Sequence, residues 1–295
     1  MPVYDQGYRN WNGPLRGHAL RWLTITAASV RLNLKNKWVL LTCGAAMFPM
    51  LGLAFGAVLR LRMVDNVVRT TGDETVGDAL AKNFGGDFYL QLVAFQIFWV
   101  AVMCALVGAG LIARDREARA LELYLSRPVK KFDYILGKFG VIFAFNMLVT
   151  AVPFLVLYLV VALASPSLDY LRATWKVPFG LAASGVVISA VSSCVILGLS
   201  SLLARPRIVS VVWIGMHFLT LTLGNLLWDL VKNAQLNMIS FSSNLHRVAI
   251  ALLDTSVPRN MDFSPVYAGL VITALSVVAM GIVIWRVRAV EAVSG

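Results

Sequence analysis

Apolar residues in this chain come in long runs separated by short polar interruptions. Six runs reach the roughly 20 mostly apolar residues that a helix needs to cross a bilayer: 38–59, 89–112, 139–164, 179–203, 208–228 and 266–285. The pattern predicts an all-α polytopic membrane protein with six transmembrane helices. The fourth and fifth runs are separated only by Ala204-Arg205-Pro206-Arg207, where Pro206 stops one helix from continuing through.

Ahead of the first run, residues 15–36 have helical periodicity. Leu15, Ala19, Trp22, Leu23, Val30 and Leu34 can share one face, and Arg16, Thr24, Arg31 and Lys35 the other. A basic helix with a Trp on its apolar side lies in the membrane interface instead of crossing it. Residues 1–37 are therefore read as a polar tail and an N-terminal amphipathic interfacial helix. A generic basic segment beside the membrane fits the same residues. Residues 38–285 form the membrane domain and 286–295 a short tail. The polar N-terminus does not resemble a cleavable signal peptide.

Between the second and third runs, the loop 113–138 holds the densest charge in the chain. Within it Ala118, Leu121 and Leu125 fall at helical spacing, and Pro128 turns the chain, since it disfavours helix at Arg127. A short amphipathic helix held between two spans suits a docking element, and an ordinary solvated loop has the same composition. The outer segment 229–265 is long for a connector. Its Leu245, Val248, Ala249, Leu252 and Leu253 predict a short helix on or slightly within the outer surface, with Ser243 or Asn244 as its cap.

Composition narrows the class. Of the 295 residues 59% are hydrophobic and only 14% charged, against about 25% charged in soluble domains. The net charge of +11 therefore raises the question of membrane side before that of nucleic acid. With the N-terminus inside, 17 of the 26 Lys and Arg fall on inner segments and 9 on outer ones, which predicts both termini cytoplasmic. Cys43, Cys104 and Cys194 all lie in apolar runs and read as small buried hydrophobes, with no disulfide expected.

Polar residues inside spans are costly and face protein or water. Gln96, Asn146 and His217 are the candidates, with Thr220 one turn from His217. Each can line a substrate path or simply bond a neighbouring helix. Gly52-Leu-Ala-Phe-Gly56 and the small residues Ser184, Gly185, Ser189, Ser192 and Ser193 favour close helix contacts, within the chain or across a dimer. Pro49 and Pro153 are expected to kink their spans. No GxxxxGK[ST] phosphate loop, HExxH or GxSxG occurs, intramembrane acids do not pair, and His18, His217 and His246 are far apart along the chain.

Arg116-Glu117, Leu121-Glu122-Leu123, Leu125-Ser126, Pro128-Val129, Lys130-Lys131 and Leu136-Gly137-Lys138 together resemble the first cytoplasmic loop of ABC-2 type permeases, the membrane subunits of one class of ABC transporters. Arg119-Ala120 stands where that family commonly has Gly-Thr. The interfacial helix and the outer segment extend the resemblance to nearly the whole chain. It implies a permease subunit of an ATP-driven transporter, most often an exporter, in the bacterial cytoplasmic (inner) membrane. Two ABC ATPase subunits would dock beneath it and hold the ATP and Mg, with no cofactor or metal in this chain and no catalysis by it. The implied partners are those ATPases, a second permease, identical or related, and membrane lipid, with no nucleic acid. Docking would fall on 116–127, with Leu121, Tyr124 and Leu125 filling a groove and Glu117, Arg119, Glu122 and Arg127 around it. A path along the dimer seam would involve the second and fifth spans, with Gln96, His217 and Thr220. An alternative within the same architecture is a mechanotransmitter that passes ATP-driven motion to an extracytoplasmic accessory protein, bound at 229–265, with nothing translocated.

Overall fold

Each of the six apolar runs forms a helix long enough to cross a membrane in the computed structural model, which describes residues 21–71, 84–118, 131–165 and 169–288. Helix α1 (Arg21–Leu34) precedes them. The spans are α2 (Lys37–Thr71), α3 (Gly86–Glu117), α4 (Lys131–Ala164), α6 (Val177–Leu202), α7 (Pro206–Val231) and α9 (Pro265–Arg288). Two short helices, α5 (Asp169–Ala173) and α8 (Phe241–Leu253), lie in the connections. The described residues contain no strand.

Several helices outrun the apolar stretches that mark them. No Gly or Pro interrupts 57–71, so α2 continues to Thr71 instead of ending near residue 59. Likewise α3 extends through the charged residues to Glu117 and α4 begins at Lys131. The charged loop between them is thereby shorter than the 113–138 predicted from hydropathy, because charged residues at a span end continue the helix into the aqueous phase.

Most of α3 and α6 is buried, whereas α2, α7 and α9 are largely exposed. The bundle therefore has α3 and α6 at its centre. Large apolar side chains on the outside, among them Phe48, Phe55, Val211, Leu219, Leu270, Val277 and Val278, need hydrocarbon in place of water. The small face of α6 explains its central place. A Cβ at Gly185 would lie 3.0 Å from the Cβ of Ala151, and one at Gly198 only 2.8 Å from that of Ala279. The backbones of α4 and α9 thus approach α6 as only small residues permit. Among the described residues, nothing lies within 4 Å of where the Cβ atoms of Gly52 and Gly56 would be, so that pair makes no such contact with them.

Two irregularities have identifiable causes. In α4 the helix breaks at Thr150, between Lys131–Val149 and Ala151–Ala164, because Pro153 has no N–H to give Val149 and its ring crowds that carbonyl. In α3 a π turn spans Cys104–Gly108, a looser winding in and beside which side chains of neighbouring helices donate to α3 carbonyls. Trp213 Nε1 donates to the Ala101 carbonyl (2.9 Å), Ser210 Oγ to Ala105 (2.7 Å) and Ser200 Oγ to Ala109 (2.9 Å). A buried network joins α4 and α6 nearby: Asn146 Nδ2 donates to Ser193 Oγ (3.2 Å), and Thr150 and Ser189 share a hydroxyl bond (3.0 Å).

The predicted cap of α8 is corrected. Ser240 is the N-cap, its Oγ accepting the Ser243 N–H at 3.1 Å. Ser243 and Asn244 lie inside the first turn, where Asn244 Nδ2 donates back to the Ser240 carbonyl (2.8 Å). Nor does α8 rest on the surface. Phe241 to Leu245 are all buried, and the helix packs against α3, α6, α7 and α9. Its Arg247 is buried, and Nε donates to the Phe263 carbonyl at 2.7 Å, one of the bonds that a buried guanidinium requires.

The α6–α9 contact gives a direct check. Gly198→Ala forces a methyl against Ala279 and should cost about 1–3 kcal/mol, whereas Gly215→Ala meets open space and should change stability by less than about 0.5 kcal/mol. Thermal unfolding of the two purified variants in detergent measures the difference.

Candidate functional site

Two regions gather the polar chemistry of the bundle, one at each end. At the charged end, Glu117 closes α3 and is exposed. Arg119, Leu121, Glu122, Tyr124, Leu125 and Arg127, the other predicted docking residues, lie outside the described residues. What the structure describes is how both flanks of that loop are held.

Lys138 and Asp115 form an ion pair of 2.7 Å, with side chains only 7% and 17% exposed. Tyr134 Oη donates to the same carboxylate oxygen at 2.8 Å, and the Lys138 ammonium lies 5.5 Å from the Tyr134 ring centre. The end of α3 is thus tied to the first turns of α4 by one carboxylate. The same end is tied to α6. Ser200 Oγ accepts the backbone N–H groups of Ile112 and Ala113, each at 3.1 Å, and Arg116 donates to the Ser201 carbonyl. Helix α1 closes the arrangement from the other side. Thr26 Oγ1 donates to the Gly137 carbonyl (3.0 Å), and a Cβ at Gly137 would come within 2.9 Å of Ile25. Gly137 therefore serves as the seat on which α1 crosses α4. Trp22 and Val30 are half-buried, while Leu23, Leu32 and Leu34 face away from the protein.

At the opposite end, a cavity of about 330 Å³ opens between α3, α7, α8 and the turn at Arg259–Met261. Ala94, Ile97 and Phe98 come from α3, and His217, Phe218, Leu221 and Asn225 from α7. Ser242, Ser243 and His246 come from α8, with Asn260 and Met261 below. His217 is 4% exposed. Its Nε2 shares a 2.8 Å hydrogen bond with Ser242 Oγ, and its ring packs on Trp213 and Phe241, each 5.7 Å between centres. Among the described residues, neither His217 Nδ1 nor His246 Nε2 has a partner. Burial pushes the His246 imidazole down to about 4, so it is neutral near physiological pH.

The three predicted path residues separate. His217 lines the cavity. Thr220 does not: its hydroxyl donates to the Met216 carbonyl (2.8 Å) and accepts the Phe241 N–H (3.4 Å), joining α7 to the start of α8. Gln96 faces the other way, Nε2 donating to the Ala46 carbonyl (2.9 Å), and ties α3 to α2 one turn before Pro49, through which α2 continues unbroken. Asp115 and Ser242 went unremarked in the sequence, Lys138 stood only in the Leu136-Gly137-Lys138 stretch, and His246 only as one of three scattered histidines. Lys138 carried the available signal, a lysine at the edge of an apolar run seven residues after Lys131. The two histidines, far apart in the chain, line one cavity.

A bundle of six membrane-length helices, with an interfacial helix seated on the third span, defines a multi-pass membrane protein. The family model described as ABC-2 family transporter protein matches residues 25–285, and the chain belongs to that family. Among curated proteins, none matches it.

The ion pair is testable by a double-mutant cycle. Asp115→Asn removes the carboxylate 2.7 Å from the buried Lys138 ammonium and should cost roughly 3 kcal/mol, and Lys138→Met alone a similar amount. The double variant should recover most of the loss, read as thermal unfolding in detergent. Additive losses would mean that the two charges do not act as a pair.

Proposed function

We propose that this chain is the membrane subunit of an ATP-driven exporter, moved by a separate ATPase that docks on residues 116–127. The observation that carries this reading is the Asp115–Lys138 pair, with the seams from α3 to α6 and from α4 to α1. A lever transmits a push only if neither of its attachments gives way. Here the loop emerges from two helices locked to each other and to two neighbours.

In this reading Leu121, Tyr124 and Leu125 fill a groove of the ATPase, and Glu117, Arg119, Glu122 and Arg127 make the polar contacts around it. The charged end is cytoplasmic, which agrees with the Lys and Arg distribution. Two ATPases bind ATP and Mg beneath a pair of permeases, identical or related, and this chain performs no hydrolysis itself. Closure of the ATPases on ATP displaces both loops, and the second and third spans follow as one body. The seam between permeases, with α3 and α7 beside it, carries the substrate outward across the bacterial inner membrane. If an extracytoplasmic accessory protein takes part, 229–265 is the segment placed to meet it.

Leu121→Asp with Leu125→Asp should abolish co-purification of the ATPase while the permease stays in the membrane fraction at its usual amount. Full ATPase occupancy on the double variant would show that docking lies elsewhere. Retained ATPase with stimulated ATP hydrolysis but no solute movement, in vesicles of the unaltered complex, would favour the mechanotransmitter.

A further inference from the structure

The cavity beneath α8 has a neighbour. On the far side of Phe98, Gly44, Ala45, Phe48 and Pro49 of α2 and Phe95 and Trp99 of α3 line an apolar groove of about 650 Å³. Phe98 lines both spaces, standing edge-on to Phe218 with ring centres 6.3 Å apart. The two spaces differ sharply in chemistry. The groove offers aromatic and aliphatic surface with almost no polar group. The cavity offers hydroxyls of Ser242 and Ser243, amides of Asn225 and Asn260, and two imidazoles whose His217 Nδ1 and His246 Nε2 have no partner among the described residues. Among the described residues, neither space is lined by a carboxylate, lysine or arginine.

These features restrict the occupant. A phosphate, carboxylate or ammonium would leave water for a cavity whose described lining carries no opposite charge, at high cost. A hydroxyl or carbonyl group would instead find donors and acceptors in every direction, since Ser, Asn and neutral His each supply both. Buried polar atoms without partners are exceptions in folded proteins and call for an occupant. At the volume observed, the cavity alone is at the small end for a ligand pocket, about 300–1,000 Å³; with the groove it accepts a molecule with a tail.

We propose that the cavity and the groove together bind one neutral amphipathic molecule, its hydroxyl- or carbonyl-bearing head among His217, Ser242, His246, Asn225 and Asn260 and its apolar tail against Phe48, Phe95 and Trp99, with Phe98 as the movable wall between them. The proposal rests on the reading of the chain as a permease and names the substrate class of its outer half. Such a molecule can come from the bilayer, as a neutral lipid, or from solution, as an apolar alcohol. The open groove on the outer face of α2 and α3 suits entry from the side.

The test uses the full-length permease in phosphatidylcholine nanodiscs and photolabels carrying a diazirine in the alkyl chain. A monoacylglycerol label represents the lipid source and an octanol label the free solute. A monoacylglycerol phosphate label is the charged control. Saturable labelling of Phe48, Phe95, Phe98 or Trp99 by either neutral probe, at least about tenfold above the phosphate probe, supports the proposal, and the stronger of the two identifies the source. His217→Ala and Ser242→Ala should each weaken half-saturation about tenfold, the loss of one buried hydrogen bond. His217→Gln, which keeps donor and acceptor, should stay within about threefold. Met261→Trp should block labelling by filling the cavity without removing any hydrogen-bonding group, so the test survives if the histidine variants do not fold. Labelling spread evenly over the exposed faces, equal for charged and neutral heads, or indifferent to Met261→Trp would overturn it. So would protection of the groove by a second permease copy at every probe concentration. ATPase co-purification with the unaltered chain is read in parallel. Labelling absent with ATPase retained removes the pocket alone, and labelling present with ATPase absent removes the permease reading alone.

Discussion

In hydrocarbon a backbone carbonyl released from its helix has no water to turn to, so protein must satisfy it. In and beside the π turn at Cys104–Gly108, in the middle of α3, three side chains donate to α3 carbonyls, Trp213 and Ser210 from α7 and Ser200 from α6. They bond carbonyls four residues apart, which form one stripe along α3. These bonds make α3 the strut to which α6 and α7 are fastened, and α3 and α6 are the most buried of the six spans.

From this strut the two ends of the molecule acquire different properties. Toward the charged end, α3 is bonded to α6 through Ser200 and Arg116, and to α4 through Asp115, Lys138 and Tyr134. A low local dielectric strengthens such bonds and makes their loss expensive. Toward the other end, Phe98 of α3 meets Phe218 of α7, and the polar groups of α8 turn toward a cavity. That end is also bonded, Asp87 to Ser256 and Tyr89 to Tyr170, but it holds space as well. In the proposed reading, a push delivered at the charged end needs a base that does not absorb it and an opposite half with room to admit a molecule.

Much of the fold was legible in the residue pattern because lipid permits few alternatives. Six apolar runs had to become six helices, Pro206 had to separate α6 from α7, and the small residues of α6 marked a face for close approach. Boundaries were less legible. Hydropathy reports where apolar character ends, and α2, α3 and α4 continue past that point in water. The cap of α8 was misassigned because 240–244 contains four residues able to cap, and only tertiary burial selects Ser240. Within the candidate site, His217 stood out as a polar residue in a span, but its partner Ser242 and the nearby His246 come from a helix whose depth no periodicity reveals. Gln96 and Thr220 carried the same signal as His217 and proved to bond neighbouring backbone. A polar residue in a span announces a need for a partner, and only the packing says whether protein or a ligand meets it.

The proposed coupling requires the charged ends of the second and third spans to move as one body. Spin labels at Arg114 and Phe132, both exposed, measure this directly in the assembled transporter by pulsed electron resonance, without nucleotide and with ATP trapped. The account predicts an unchanged distance between these two positions while the distance between the Arg114 labels of the two permeases shifts. A change between Arg114 and Phe132 within one chain would contradict it, because the Asp115–Lys138 tie would then have opened under load.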